Sequence, residues 1–485
     1  MCSSDLFSLE YPLWHRWPGG YRLVNLLLHA INGFLIFLVA RDLLQSAAAA
    51  SAVSAIYLVH PAHTEAVISL IGRGELLACL FFLLAWLLFR GRHTVLCGLA
   101  FLFSLLSKEN AIMFPAVIVL DTWISETDFR KVLSAWKRFI PVAAATAVYF
   151  GLRLWVLGGI GIPKTAQYLN GSWTFLQREL TSGRAFLKYF QLLLAPVNVT
   201  GDYDFNSVPL GNVTDAVAWM GLLLVAATIG LAFWILKKQP ILGFSILFFY
   251  LTMFPVSNWI FPTSVIMAER FLYLPSLGIC LIGGILWSNI REVRTKKLIA
   301  AGIMSIAVLL CVGHNYVWRD NLSFYGNIVR VFPNNVRGRQ GFGIALLEKG
   351  RPEEARAQFE AGLRIDRDAP LLVGLASTLM QVDHTCVNAR PVLTEALSIQ
   401  PSDPFAQWLL GNCIEGEGNT GSAEQMYRNA IGSTAFPDPK LLFDWGYALE
   451  RLGRPSEALN AYRRAALLDP GDALVQRSVA RVTAR

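Results

Sequence analysis

Residues 60–76 carry two histidines, two carboxylates and an arginine: His60, His63, Glu65, Arg73 and Glu75. They lie between apolar runs too long and too uniform for the core of a soluble domain. Two more charged pairs, Lys108-Glu109 and Glu269-Arg270, stand at the ends of such runs. Charge in or beside a bilayer is costly, so charge retained there marks function by default. His60-x-x-His63-x-Glu65 could be a metal site, but zinc-binding helices place histidines at i and i+4. Pro61 also keeps the stretch from being a plain helix. No metal is therefore assigned, and the competing reading is that His60, His63 and Glu65 hydrogen-bond a helix end to its neighbours. Arg73 and Glu75 could be an ion pair at the membrane surface. Lys108-Glu109 joins two runs with almost no loop, so it belongs at the interface or in a cavity. Arginine suits bidentate contact with phosphate, which makes Arg270 a partner for a lipid-linked phosphate. Its competing reading is a side chain snorkelling to the headgroups.

The elements that must position these residues are membrane spans. The chain has 485 residues, 54% of them hydrophobic, and a mean hydropathy of +0.45. Only 16% are charged, against roughly 25% in soluble domains. From residue 334 onward there are 17 Lys and Arg against 18 Asp and Glu, leaving 25 against 16 in the rest of the chain. The basic excess belongs to the membrane part, where topology explains it better than nucleic acid does. Spans are expected at 23–40, 47–60, 70–89, 94–107, 111–125, 139–157, 216–236, 240–257, 271–290 and 298–315, near the length a bilayer demands. Alternate gaps hold Arg41; Arg90 and Arg92; Arg130, Lys131, Lys137 and Arg138; Lys237 and Lys238; and Arg291, Arg294, Lys296 and Lys297. The positive-inside rule puts these on the cytoplasmic face. The charged clusters, loop 158–215 and the C-terminal part then face outward: the periplasm if the host is bacterial, the ER lumen if it is eukaryotic. Span 23–40 runs inward with no signal peptide or earlier span before it, so 1–22 is expected to be part of a truncated outer loop.

Loop 158–215 is too long to be a mere connector. Within it, 173–194 has the pattern of an amphipathic helix suited to the outer interface, followed by Asp202-Tyr203-Asp204. After a linker at 318–333 the periodicity becomes that of a repeat array. Ala355/Phe359, Ala389/Leu393, Ala423/Tyr427 and Ala458/Tyr462 recur at a near-constant step, each preceded by Gly343, Ser377, Gly411 or Gly446. This predicts four tetratricopeptide repeats over 334–485 with 473–485 as a cap, an array that binds peptides or proteins. The seven cysteines show no CxxC and no regular spacing, so neither a disulfide framework nor a zinc site is expected.

His60-Pro-Ala-His-Thr-Glu-Ala-Val, Gly72-Arg-Gly-Glu-Leu-Leu, Leu106-Ser-Lys-Glu109, Ala268-Glu-Arg-Phe-Leu-Tyr-Leu-Pro-Ser-Leu-Gly278 and Tyr21-Arg-Leu-Val-Asn-Leu-Leu-Leu-His29 together resemble the transmembrane and tetratricopeptide-repeat protein O-mannosyltransferases, within the GT-C glycosyltransferases. The resemblance implies an all-α protein, a polytopic GT-C-like membrane domain over 23–317 followed by an α-solenoid. It implies inverting transfer of mannose from a polyprenyl-phosphate donor to Ser or Thr of a protein. The donor is a substrate, and no cofactor is expected. In that picture Arg270 contacts the phosphate, while His60, His63, Arg73, Lys108, Glu109 and Glu269 line the substrate site. The family's acidic motif in the first outer loop is not matched by Asp5 or Glu10, which leaves Glu65 and Glu75 as the catalytic candidates. The expected partners are the lipid-linked sugar, an acceptor protein on the repeats, and the membrane. Two other classes compete. A non-catalytic scaffold would tolerate substitution in the polar clusters but not in the repeat groove. A transporter of lipid-linked sugars would move substrate without covalent transfer.

Overall fold

The computed structural model describes residues 10–15, 17–126, 135–159, 173–203, 207–260, 263 and 265–484, and among these the chain is helical with no strand. Asp5, Arg130, Lys131 and Asp204 lie outside the described residues. The chain divides into two compact units, Met1–Asn327 and Ile328–Arg485.

In the first unit the apolar runs become helices. They are α1 (Pro18–Leu44), α2 (Ala47–Val59), α3 (Thr64–Ile68), α4 (Arg73–Arg90), α5 (Thr94–Ser107) and α6 (Phe114–Glu126). There follow α7 (Ile140–Leu157), α8 (Phe175–Leu194), α9 (Ala216–Leu236), α10 (Pro240–Met253), α11 (Ser276–Asn289) and α12 (Val293–Val317). Each expected span coincides with a helix, and the set fits a membrane protein. Four are long and apolar enough to cross alone: α1, α7 with the turn before it, α9 and α12. A fifth crossing is possible for the bent pair Pro61–Ile68 and Arg73–Arg90. Helices α2, α5, α10 and α11 are apolar but have only 13 or 14 residues. That is about 20 Å of helix, short of the roughly 30 Å hydrocarbon core. On α12 only Ala307 is buried, so its Leu, Ile and Val side chains face outward.

The core is aromatic and aliphatic, with Trp86, Phe82, Phe101, Phe114 and Phe248 fully buried among α4, α5, α6 and α10. At the C-terminal end of α4, Arg90 bridges Asp42 and Asp121. Trp86 donates to Asp121 there at 2.9 Å. This cluster fastens one end of the bundle, and Arg73 and Glu75 stand at the other.

The helical course breaks at 69–72, and the segments on either side, Pro61–Ile68 and Arg73–Arg90, meet at 108°. The break needs Gly72, because a Cβ there would collide with the carbonyl of Ala66. Backbone groups freed by such a break must be satisfied inside the protein. Helix α1 does this with polar residues on one face. Asn25 donates to the Val67 and Ser69 carbonyls at 3.1 Å, and Asn32 to that of Leu76 at 2.9 Å.

Helix α8 opens with a capping box, Thr174 with Gln177. Part of its apolar face is covered by protein, with Leu180, Phe186, Tyr189 and Leu193 buried, while Phe175, Leu176 and Leu194 stay exposed. Phe186 stacks on Trp259 with ring centroids 4.9 Å apart. The polar edge of α8 is thereby fixed towards the charged residues.

After α13 (Asn321–Val331), the second unit is four helix pairs and a cap. The pairs are α14 (Val336–Glu348) with α15 (Pro352–Leu363), α16 (Ala369–Asp383) with α17 (Ala389–Ile399), α18 (Pro404–Gly416) with α19 (Thr420–Gly432), and α20 (Pro439–Arg451) with α21 (Pro455–Leu468). Helix α22 (Ala473–Thr483) follows. The repeat logic holds atom by atom. Phe359, Tyr427 and Tyr462 lie over Gly343, Gly411 and Gly446, where a Cβ would sit 2.6–2.7 Å from the ring. Asn335, Asp368, Asp403, Asp438 and Asp472 each cap the next helix through a side-chain oxygen. Within three pairs the turn passes through Gly350, Gly418 or Gly453 at positive φ, and in the second His384 takes that conformation. Contrary to the sequence expectation, Cys386 and Cys413 form a disulfide, with Cα atoms 5.4 Å apart. They sit 27 residues apart on successive pairs, a spacing that says nothing until the repeats stack.

Candidate functional site

The 3₁₀ turn Glu269–Leu272 meets α3 and α8. Glu65 on α3 accepts from the Arg270 backbone N–H at 2.8 Å and pairs with its guanidinium through its other oxygen. Glu65 is buried, whereas the Arg270 side chain keeps 19% of its surface exposed. Next to it Glu269 is 1% exposed. One of its oxygens, Oε1, accepts from the Thr200 backbone N–H at 2.7 Å and from the Tyr203 hydroxyl. The Tyr189 hydroxyl accepts from the Ala268 N–H at 3.2 Å. The turn is thus held from α3, from α8 and from the loop after α8.

Burial, with the Glu65 carboxylate close by, holds the Glu269 carboxyl well above the usual carboxylate range. Lys188, beside it on α8, is pulled below the ordinary lysine value by burial, partly offset by Glu269. The Tyr203 phenol is pushed up, first by burial and then by Glu269.

The remaining predicted residues fall into three groups. Glu75 joins the cluster, since its charge is felt at both Glu65 and Arg270. It accepts from Asn110 Nδ2 at 2.8 Å and faces Lys108 Nζ at 3.4 Å. Glu109 follows Lys108 with its side chain exposed. Arg73 instead turns back to the start of the chain. It binds Glu10 at 2.5 Å, Asn25 Oδ1 at 2.8 Å and the Tyr21 carbonyl at 2.9 Å.

The histidines tie the scaffold together. His60 faces the Leu193 carbonyl at 3.0 Å and accepts from the Ala62 N–H. His63 lies between the Tyr57 carbonyl at 2.9 Å and Ser276 Oγ at 2.8 Å. His29 and Tyr57 fasten Tyr273 through its hydroxyl and its carbonyl, at 2.8 and 2.6 Å. Among the described residues no three His, Cys, Asp or Glu groups come close enough to hold a metal ion.

Glu65, Glu75, Lys108, Glu269 and Arg270 therefore share one polar locus. With them come Lys188, Tyr189, Thr200 and Asn110, which the sequence did not single out, and Tyr203, which it named only within Asp202-Tyr203-Asp204. Lys188 could have been found as a cation on the polar edge of an amphipathic helix. Thr200 carries no such signal.

The tetratricopeptide repeat model matches residues 439–472, the fourth helix pair. Most of the chain is similar to the protein O-mannosyl-transferase F38B6.6 of Caenorhabditis elegans, 28% identical over 377 residues that cover 74% of this chain and 52% of the relative. The chain is a relative of the protein O-mannosyl-transferases. The similarity to another of them, TMTC3 of Homo sapiens, is 24% over 526 residues and covers 96% of this chain and 57% of that protein. It therefore takes in the apolar unit and the repeats alike. The chain spans about half the length of the protein O-mannosyl-transferases it matches. Among solved structures it is similar to the tetratricopeptide protein YrrB, with 20% identity, 36% of this chain and 88% of that chain covered, and a TM-score of 0.27.

Proposed function

We propose that the chain is the membrane glycosyltransferase part of a protein O-mannosyltransferase. It would move mannose from a polyprenyl-phosphate donor to Ser or Thr hydroxyls at the outer membrane face. The observation that carries this reading is the convergence of Arg270, Lys108 and Lys188 with three carboxylates at one locus, in a relative of proteins named for this activity. Arg270 takes the charge that grows on the departing lipid phosphate. Glu65 is committed to Arg270 by both oxygens, so it positions the arginine. Glu75, which faces Lys108 at 3.4 Å, is then the carboxylate left for proton transfer. It takes the proton of the acceptor hydroxyl as that oxygen bonds to the anomeric carbon. The bond from that carbon to the phosphate oxygen breaks, and the lipid phosphate leaves.

The disulfide between Cys386 and Cys413 supports repeats in an oxidising compartment, where acceptor proteins would dock on them. The test is label transfer from a radiolabelled polyprenyl-phosphate mannose into protein in membranes. Arg270→Ala and Glu75→Gln should each abolish it while leaving the protein folded. Folded wild-type protein that transfers no label would favour a scaffold that recruits proteins through its repeats.

A further inference from the structure

Three buried polar atoms at the Glu269 turn have no hydrogen-bond partner: Thr200 Oγ1, Glu269 Oε2 and Arg270 Nε. Their residues touch or adjoin, since the Thr200 N–H bonds Glu269 Oε1 at 2.7 Å and Arg270 is next in the chain. Orphaned buried polar atoms are few in native proteins and each requires a reason. Here their chemistry is shared. Arg270 Nε–H can only donate, and a hydroxyl such as Thr200's can donate. Glu269 Oε1 already accepts two hydrogen bonds, so a proton on this carboxyl rides on Oε2. The locus offers three donors with nothing to receive them, and what it fits is an anion presenting several oxygens.

We infer that Glu269 donates a hydrogen bond through Oε2 to a phosphate oxygen of the lipid-linked donor, with Arg270 Nε and Thr200 Oγ1 beside it. This rests on the reading that a polyprenyl phosphate carries the sugar. The groups facing Glu269 are Glu65 on α3, Lys188 and Tyr189 on α8, Tyr203 in the following loop, and Arg270 on its own turn. The carboxylate of Glu65, together with burial, keeps the proton on Glu269. A carboxylic acid held neutral by its surroundings can serve as a hydrogen-bond donor where a carboxylate would repel the anion. The role is the opposite of a general base. A base works only when ionised and is destroyed by an amide, whereas a glutamine at 269 keeps both Oε1 bonds and presents an N–H in place of O–H.

The experiment measures binding of polyprenyl monophosphate, without sugar, to the purified full chain in detergent across pH, beside inorganic phosphate. Wild-type affinity should fall as pH rises through the raised Glu269 value. Glu269→Ala should weaken binding about tenfold to a hundredfold, the effect of losing a hydrogen bond to a charged group. Glu269→Gln should recover most of that loss and remove the pH dependence. Thr200→Val, which preserves volume, should bind more weakly and guards against Glu269→Ala failing to fold. Three results overturn the assignment: Glu269→Gln binding as poorly as Glu269→Ala, wild type not binding the lipid phosphate, or equal binding of inorganic phosphate. Binding that follows this pattern without sugar transfer would sink the enzyme reading alone. Transfer without the pattern would sink only the role of Glu269.

Discussion

At the scale of the residue, the informative contrast is between two glutamates, Glu65 and Glu269, in different surroundings. Glu65 is paired with Arg270, whereas Glu269 is held well above the usual carboxylate range by burial and Glu65, with only one of its oxygens bonded. Glu65→Ala strips a mostly buried arginine of its counter-ion, so the protein should lose about 3 kcal/mol of stability and all transfer activity. Thermal unfolding in detergent beside label transfer checks both. Glu269 gives a pH signature. Its folded value lies above its unfolded one, so the folded state holds an extra proton and stability falls as pH rises. The contribution is fully present below about pH 4.3 and is lost as pH rises through the raised folded value. Glu269→Gln should flatten this decline, measured as the melting temperature against pH. A wild-type profile retained in the glutamine variant would count against the protonated state.

At the scale of the element, the bend between α3 and α4 decides which residues meet. It aims Glu65 at the Glu269 turn while sending Arg73 back to Tyr21, Asn25 and Glu10. Gly72→Ala places a methyl against the Ala66 carbonyl and must open the bend, costing about 1–3 kcal/mol. Transfer activity should fall by more than that loss of folded protein explains, because Glu65 and Glu75 separate. Activity per folded molecule, from binding-competent counts, is the readout. In the repeats, the disulfide ties two successive helix pairs across 27 residues. Cys413→Ser should lower the stability of the array by about 3 kcal/mol, and reductant should do the same to wild type. Unfolding curves with and without reductant test this, and no shift in either would mean that the bond is not formed in the protein.

At the scale of the whole molecule, the prediction concerns sides of a membrane. On the proposed topology the basic loops lie inside, so a cysteine replacing Lys238 should react with an impermeant thiol reagent only from the cytoplasmic side. One replacing the exposed Asn212 should react only from the other side. Both reacting from one side would overturn the topology on which the outward-facing site depends. Among the native cysteines Cys79, Cys97 and Cys280 are buried and free and Cys386 is bonded to Cys413, so Cys2 and the partly exposed Cys311 are replaced by serine first.

Much of this protein is legible in one dimension because its information is periodic or compositional. Apolar runs of bilayer length, basic loops and a repeating Ala-aromatic step depend on neighbours along the chain, and hydrophobic burial and helix geometry turn them into elements directly. The helix caps at Asn335, Asp368, Asp403, Asp438 and Asp472 were equally readable by the same period. What composition could not decide is which charges face each other. Arg73 and Arg270 look alike as arginines at the ends of apolar runs, yet one is a tether to α1 and the other is the centre of the site. The Glu269 carboxyl is pushed above the usual range by burial and by Glu65, 204 positions away in sequence. Cys386 finds Cys413 only when the repeats stack. Electrostatics acts through space and strengthens with desolvation, so charge pairing, protonation and crosslinking were settled by the tertiary structure alone.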